Sequence, residues 1–554
     1  MRCIQPRRQY RMGAIILWCL AIGAGCHRAA DRDAQVFRLN LSEGLETTDP
    51  AFAKNKNIIW VVHQIYNTLV QTDSALHIGP SLAKRWEVSD DGLVYTFHLR
   101  DDVYFQDNAA FTGGKGRKMT AQDVVYSFRR VINPATASSG AWIFNDKVAP
   151  DSGFSAPDDT TFVLRLTKPF HPILGILTMP YCSVVPHEVV DQYGTDFRSH
   201  PCGTGPFQLK YWDEGQALVL VKNPHYFERD SLGQRLPYLD AIKFTFISSK
   251  ATEFLLFVQG QLDYLKDLDV SYKDEILTKG GKLKKEFQGK VILSLKPFLN
   301  TEYLGFLTDT TNPLLQHSPI RQKKFRLAIN YGFDREKIAM YLKNNVVIPA
   351  YGGFIPAGLP AYDTARVRGY SYDPGKARQL LAEAGFPGGK GLPPVTLYST
   401  EQYADITNFV ANQLQEIGIR AQVNIQQIGM LRELAAKSKA PFFRADWMAD
   451  YPDAESFLAC FYSKNPAPPN YSRFSNPLFD RLYEKSLGEN VDSIRQRLYQ
   501  RMDSIVVANA PVVPLYYDES VVFLHPWVKG FVNNSMSLLE LRQVSIGKGS
   551  EIGD

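Results

Sequence analysis

The sequence predicts an α/β protein built from layers of helices and strands. The first observation is the alternation of helix and strand patterns between residues 373 and 517, which is typical of such layers. The second is a series of short strand patterns before residue 250. The third is a composition of 45% hydrophobic and 21% charged residues over 554 residues, which indicates a globular chain of several domains.

The first part of the chain carries mainly strand patterns. One helix is expected among them, because Thr120 is a good N-cap and Asp123 stands at the capping-box position. Apolar residues then repeat at helical spacing as far as Phe128. Runs of β-branched and aromatic residues between turn residues predict strands over 36–41, 93–99, 161–166, 207–210, 217–221 and 242–247.

The second part of the chain alternates helices with strands. Asp373 and Pro374 form a helix start, with an N-cap followed by proline, and Gly385 ends that helix. Patterns of the same kind predict, in order, a strand over 395–399, a helix over 403–417, a strand over 419–425, a helix over 491–509 and a strand over 512–517.

The charge of the chain argues against a nucleic-acid binder. The formal net charge is +5, but the first 25 residues contain four arginines and no acidic residue. Removing those four from 62 basic residues leaves 58 against 57 acidic ones. A nearly neutral chain lacks the basic field that nucleic-acid binding requires.

The N-terminus has the pattern of an export signal. The arginines precede an apolar stretch from Met12 to Ala24, which is too short to span a bilayer comfortably. Small residues before Cys26 resemble a bacterial lipobox, although Gly23 stands where leucine is preferred. We therefore expect residues 1–25 to be removed as a signal peptide and Cys26 to carry a lipid, which would be the only membrane attachment. The alternative is an ordinary signal peptide with Cys26 incidental.

Three further cysteines remain in the mature chain: Cys182, Cys202 and Cys460. In an oxidising compartment, Cys182 and Cys202 are expected to form a disulfide. The alternative is two buried free thiols, because spacing along the sequence does not fix the Cα separation of less than about 7 Å that a bridge requires.

Motifs of catalysis and metal binding are incomplete in this chain. The segment 187–191 matches H-E-x-x-H except that Asp191 replaces the second histidine. The segment 81–84 matches S-x-x-K without the motifs that accompany it in penicillin-binding enzymes. The turn 203–207 is expected to be structural, because Pro206 offers no N–H to a phosphate. The sequence therefore predicts no enzyme, no metal site and no cofactor.

Several short motifs follow one another in a fixed order between residues 36 and 531. They include residues 48–50, 81–92, 119–128, 203–207, 222–226, 325–330, 380–386, 449–453 and 513–516. In this order and spacing the chain resembles the extracellular solute-binding proteins of family 5, the peptide- and oligopeptide-binding components of bacterial ABC importers. Residues 66–69 depart from the family pattern, and 112–118 look like an insertion, but neither lies in the motif that carries ligand chemistry.

The resemblance implies a two-lobed, periplasmic-binding-protein-like fold of type II, with an additional α+β domain on the first lobe. Closure of the lobes over a ligand would then be stabilised by contacts to both sides. The first lobe is expected to comprise 34–79, 178–295 and 513–554, the extra domain 80–177, and the second lobe 296–512.

The resemblance also implies a site for a peptide. A peptide ammonium in a desolvated cleft requires a fixed carboxylate, and Asp450 matches the family's amine-binding aspartate in a motif that runs from Trp447 to Tyr451. Arg444 stands where peptide-binding relatives can carry an arginine for a peptide carboxylate. Trp447 and Tyr451 of the same motif are also expected to contact the ligand. The alternatives are that Asp450 orders the helix that follows it, that Arg444 is a surface residue, and that Trp447 packs within its lobe.

The expected function is that of a substrate-binding lipoprotein of the bacterial cell envelope or periplasm. The protein would capture short peptides as a monomer and deliver them to the permease and ATPase of an ABC transporter. Two alternatives stay open. The same fold could bind a metal chelate, an oligosaccharide or a signalling molecule, or the chain could be an envelope enzyme, for which the sequence offers no motif.

Overall fold

The computed structural model describes residues 35–149, 151–266 and 270–547, so the predicted signal peptide and Cys26 lie outside the described residues. The strands are β1 Val36–Asn40, β2 Val70–Thr72, β3 Ile78–Pro80, β4 Ala83–Val88, β5 Val94–Leu99, β6 Phe154–Asp158, β7 Thr161–Arg165, β8 Phe207–Asp213, β9 Ala217–Lys222, β10 Ala241–Thr245, β11 Tyr264–Lys266, β12 Ile292–Phe306, β13 Val347–Pro349, β14 Val395–Ser399, β15 Ala421–Ile425, β16 Phe442–Met448, β17 Val512–Leu524, β18 Val528–Lys529 and β19 Ser545–Ile546. The α-helices are Lys56–Ile65, Ala121–Ile132, Ile173–Ile176, His187–Tyr193, Lys250–Val258, Val270–Ile276, Lys323–Tyr331, Arg335–Lys337, Pro374–Glu383, Ala404–Glu416, Ile428–Ala436, Glu455–Leu458, Pro477–Leu487 and Asp492–Asn509.

A four-stranded sheet in the order β1-β10-β9-β8 forms the centre of the first lobe. β1 runs parallel to β10, and the other pairs are antiparallel. Phe37, Leu39 and Phe244 are fully buried on this sheet. The helix Lys56–Ile65 packs against β8 and begins at Asn55, whose side chain accepts a hydrogen bond from the backbone of Ile58.

A second four-stranded sheet, in the order β4-β5-β7-β6, forms the extra domain together with the helix Ala121–Ile132. The predicted capping box is confirmed, because the Thr120 amide donates to the Asp123 carboxylate at 2.8 Å. The ring of Phe128 meets Phe154 and Phe162 edge-on, at 5.5 and 5.4 Å between centroids. These aromatic contacts tie the helix to its sheet.

A seven-stranded sheet runs through the second lobe in the order β11-β17-β12-β16-β14-β15, with β13 also paired to β17. The predicted alternation is confirmed here: the strand at 395–399 is observed with the same bounds, and the predicted helix over 403–417 is observed as Ala404–Glu416. The helix Pro374–Glu383 begins as expected, with the Asp373 carboxylate accepting from the Lys376 amide at 2.8 Å.

Two long strands, β12 and β17, connect the lobes. They pair along both halves, with a break in register between Pro297 and Thr301. On β17, Leu515 packs in the core of the second lobe and Leu524 in the core of the first. The lobe boundaries stay a prediction, and on β17 the packing favours a crossing after Tyr516 rather than at the expected residue 513.

The extra domain and the second lobe also touch away from these strands. The His171 amide donates to the Leu487 carbonyl at 2.7 Å. Beside this bond, a Cβ placed on Gly175 would lie 3.5 Å from the ring of Tyr451. The lobes are therefore in contact at a second place.

Among the described residues no helix combines the length and apolar character needed to cross a membrane.

Candidate functional site

A cavity of about 650 Å³ lies between the two lobes. Its volume falls in the range of small-molecule sites, roughly 300–1,000 Å³. Its walls combine residues 53–56, 59–60, 72, 178–181, 266 and 536–538 of the first lobe, Trp142 of the extra domain, residues 448–450 of the second lobe, and Phe298, Glu519 and Ser520 of the connecting strands. A ligand in this cavity would contact both lobes and the strands that join them.

Asp450 lies at the wall of this cavity, two residues beyond the end of β16. The Ala449 amide donates to the Leu299 carbonyl at 2.9 Å, which fixes the chain just before it. The Asp450 side chain is open to the cavity, and among the described residues no side chain or backbone group hydrogen-bonds or ion-pairs with its carboxylate. The surrounding protein removes part of its water, and this raises the pKa of Asp450 to about 6, with the nearby Glu455 acting in the same direction.

The side chain that caps the helix after Asp450 is that of Asp453. The Asp453 carboxylate accepts a hydrogen bond from the Glu455 amide at 2.9 Å, at the start of the helix Glu455–Leu458. The Asp450 carboxylate does not cap this helix, but the Asp450 amide donates to the Ser456 hydroxyl at 3.4 Å, so the alternative that Asp450 helps to order the helix stays open. What remains for Asp450 is an unneutralised carboxylate that faces the cavity.

Arg444 is buried and already paired. Its Nε and Nη2 donate to the two carboxylate oxygens of Glu302 at 3.0 and 2.5 Å, and Nη1 lies 3.0 Å from Asp446. Its guanidinium also stacks on Tyr403, 3.4 Å from the ring centroid. Burial opposes the charge on Arg444, but the facing carboxylates raise the pKa of the guanidinium overall. Arg444 is thus neither a surface residue nor an unoccupied partner for a ligand carboxylate.

Tyr451 is buried behind Asp450 and does not line the main cavity. Its hydroxyl donates to Glu455, which also accepts a hydrogen bond from Tyr483. Trp447 is half-buried and lines a smaller pocket of about 280 Å³, which adjoins the main cavity at Met448 and Asp450. The structure therefore brings Asp450, Trp447 and Arg444 together around the smaller pocket and leaves Tyr451 in the packing beneath.

The edge of β16 next to this pocket is open. From Asn300 to Phe306, β12 pairs with one edge of β16. On the other edge, β14 pairs with β16 only through Tyr398 and Phe443. Beyond Phe443, β16 has therefore no second strand neighbour among the described strands, and an extended ligand backbone could hydrogen-bond there.

The predicted disulfide is wrong. Cys182 and Cys202 are buried free thiols. The Cys182 thiol donates to the Ile176 carbonyl at 3.5 Å, and the Cys202 thiol donates to the Gln106 carbonyl at 3.3 Å. Burial raises the pKa of both thiols. The two cysteines satisfy separate backbone carbonyls, which is the alternative that the sequence left open.

The predicted structural turn at 203–207 is confirmed. The Gly205 amide donates to the Ile65 carbonyl at 2.8 Å, at the end of the helix Lys56–Ile65. A Cβ on Gly203 would lie only 2.2 Å from the same carbonyl oxygen, so glycine permits the close approach.

In the part of the chain that the structure describes, no group of three or more His, Cys, Asp or Glu side chains is placed to hold a metal ion.

Most of the cavity wall was not identifiable from the sequence. Trp142, Phe298 and Glu519 stand in segments with no family motif, far apart along the chain. A tryptophan within a short turn, Trp142 of Ala141–Ile143, could have suggested a binding surface. Such tryptophans are too common in sequences to identify a site.

Comparison with known proteins decides the family. The model of the bacterial extracellular solute-binding proteins, family 5, matches residues 77–469. The chain belongs to this family. It is 27% identical over 521 residues to the periplasmic oligopeptide-binding protein OppA of Salmonella typhimurium, with 90% of both proteins covered. It is 29% identical over 489 residues to heme-binding protein A of Haemophilus influenzae, with 85% of both covered.

A solved structure shows the same fold. The unliganded, open form of the periplasmic murein tripeptide-binding protein MppA superposes with a TM-score of 0.79 at 24% identity, covering 93% of this chain and 98% of that one. The predicted two-lobed fold of type II with mixed α/β lobes is confirmed by this likeness.

Proposed function

We propose that this chain is the substrate-binding component of an ABC importer, and that it captures short peptides in the cavity between its lobes. In this proposal the loaded protein delivers the peptide to a permease and ATPase complex, and no reaction is catalysed. Family membership supports the transport role. The carboxylate of Asp450 supports the type of ligand.

The Asp450 carboxylate carries the proposal. A charged group that faces a partly desolvated cavity without a partner is costly unless a ligand of opposite charge completes it. An N-terminal ammonium has the charge and the three donors to do so. The open edge of β16 next to Asp450 would hold the peptide backbone through hydrogen bonds that ignore side-chain identity.

The names of the relatives point mainly to peptides. The Salmonella relative is named for oligopeptides, and a Shigella flexneri relative, 26% identical over 527 residues, is named for glutathione. The Haemophilus relative is named for heme, so a non-peptide ligand is the competing outcome of the experiment below.

We further propose that the protein is periplasmic, is a monomer, and is attached to the membrane by a lipid on Cys26.

The experiment removes the ammonium and the carboxylate in turn. Calorimetry would compare trialanine with N-acetyl-trialanine on the natural protein and on Asp450→Asn. We expect acetylation and Asp450→Asn each to weaken binding at least about tenfold, and the two losses not to add, because both remove the same ion pair. Glu401→Gln is the matched control, since Glu401 is an exposed carboxylate of the second lobe that does not line the cavity.

Two results would contradict the proposal. If Asp450→Asn binds trialanine as tightly as the natural protein, Asp450 is not the anchor. If native mass spectrometry of the purified protein finds a co-purified heme or sugar and calorimetry finds no peptide binding, the ligand is not a peptide.

A further inference from the structure

We propose, on the basis of the function proposed above, that the preferred ligand carries a large apolar side chain close to its ammonium, and that Trp142 and Met448 enclose that side chain from opposite sides of the cavity. Trp142 belongs to the extra domain and Met448 to the second lobe. The substrate class then narrows to peptides with an aromatic or long aliphatic residue at the first or second position.

Both residues expose unusual amounts of apolar surface. Trp142 is 40% exposed and Met448 is 53% exposed, and both line the cavity that contains Asp450. Large apolar side chains that face water together in a concave site mark a surface that a ligand covers. Met448 stands two residues before Asp450, so an apolar group that touches it lies near any ammonium bound there.

The rest of the wall fits the same kind of ligand. Apolar side chains complete the cavity around Trp142 and Met448: Ile59, Trp60, Met179, Phe298, Met536 and Leu538. The charge of Lys266 is already engaged, because its ammonium donates to the Ser520 hydroxyl at 2.9 Å. An apolar ligand body would therefore remove much apolar surface from water, while Lys54, Lys56 and Glu519 add charged groups to the same wall.

The turn that leads into Trp142 is packed against the first lobe. The Ser138 hydroxyl donates to the Ala51 carbonyl at 2.5 Å, and the Ser139 hydroxyl lies 3.2 Å from that of Tyr181. Gly140 lies directly on the ring of Tyr181, since a Cβ there would come within 2.3 Å of it. This turn is packed onto the first lobe, so the backbone that carries Trp142 is fixed before a ligand arrives.

Met448 is the adaptable partner. It is the last residue of β16, where the strand is fixed by its pairing with Asn300, but its own side chain is unbranched and exposed. A thioether chain moulds itself to different apolar shapes. We therefore expect selection by size and polarity, with similar affinity for phenylalanine, leucine and methionine and much weaker affinity for aspartate or alanine.

The test is a position scan with matched variants. Calorimetry on the full mature protein would use trialanine and its three single-phenylalanine and three single-leucine derivatives. We expect at least a tenfold gain over trialanine for a large residue at position one or two. We expect Trp142→Ala and Met448→Ala each to reduce that gain threefold or more, with the gain of each variant measured against its own affinity for trialanine.

The controls share exposure and location with the test residues. Tyr104→Ala removes an aromatic ring that is 46% exposed in the extra domain, and Met430→Ala removes a methionine that is 48% exposed in the second lobe. Neither residue lines the cavity. Both variants should keep the full gain, and a loss in either control equal to that in the test variants would overturn the assignment to Trp142 and Met448.

Two failures are distinguishable. If trialanine binds through Asp450 and no position rewards a large residue, the apolar subsite is wrong while the proposed function stands. If no peptide binds in a manner that depends on Asp450, the proposed function fails and the subsite fails with it.

Discussion

The guanidinium of Arg444 and the carboxylate of Glu302 form a buried, two-pronged ion pair although 142 residues separate them in the sequence. The two residues stand on the neighbouring strands β16 and β12, which are antiparallel. Their side chains are 3% and 2% exposed. The pair therefore holds together the strand that ends at the cavity and the strand that connects the lobes.

Loss of Arg444 should destabilise the fold. Arg444→Ala leaves the Glu302 carboxylate buried without its partner, and removal of one member of a buried pair costs about 3–5 kcal/mol. Urea unfolding followed by circular dichroism would measure the decrease in the free energy of unfolding. The double variant Arg444→Met with Glu302→Leu should recover most of that loss. A variant that keeps its stability and loses only peptide affinity would instead assign Arg444 to the ligand.

Peptide affinity should fall in acid. The raised pKa of Asp450, about 6, means that its carboxylate is charged above that pH and neutral below it. Below about pH 7 the peptide ammonium stays charged, because an α-amino group has a pKa of about 7.7–8.0. Between pH 7 and pH 5 binding is therefore strongest above pH 6 and is lost as the pH falls through it, by up to about tenfold per pH unit. Calorimetry from pH 7 to pH 5 would measure this slope. The Asp450→Asn variant should bind the peptide weakly, with an affinity that does not change with pH. If the peptide affinity of the natural protein does not change with pH, the prediction is refuted.

The turn at 203–207 should not tolerate a side chain. Gly203→Ala places a Cβ 2.2 Å from the Ile65 carbonyl oxygen, so the turn or the helix end must shift. Such overpacking costs about 1–3 kcal/mol. Gly79→Ala is the matched control, since its Cβ meets no atom within 4 Å. Equal unfolding midpoints for the two variants in urea would show that the turn is looser than described.

The contact between the extra domain and the second lobe should be open to cross-linking. A Cβ on Gly488 would lie 3.4 Å from that of Pro169, close to the separation of about 3.5–4.5 Å that a disulfide spans. We expect the double variant Pro169→Cys with Gly488→Cys to form the bond on oxidation and to unfold at a higher temperature. Mass spectrometry after alkylation would count free thiols, with Gly488→Cys alone as the control. Persistent free thiols at both positions would mean that the contact is absent in solution.

Local signals in the sequence were sufficient to predict most of the individual helices and strands. The N-cap at Asp373 and the capping box at Thr120 and Asp123 depend on residues within one turn of helix, and both appear as expected. Strand β14 has the predicted bounds. β17 extends to Leu524, beyond the predicted end, because its second half pairs with β12 in the first lobe, a partner that no local pattern specifies.

The site was less predictable, because its residues meet only through the fold. The family motif identified Asp450, but the environment of Arg444 depends on Glu302, which reaches it through strand pairing. Tyr451 follows Asp450 in the motif, yet the turn directs it into the packing between lobes. Trp142 enters the cavity from a separate domain.

The hydrogen bond from His171 to Leu487 bears on how the lobes can move. Together with the paired strands β12 and β17, it joins the two lobes at two separate places. While both contacts last, they restrict how the lobes can turn relative to each other, and the extra domain contributes to that restriction.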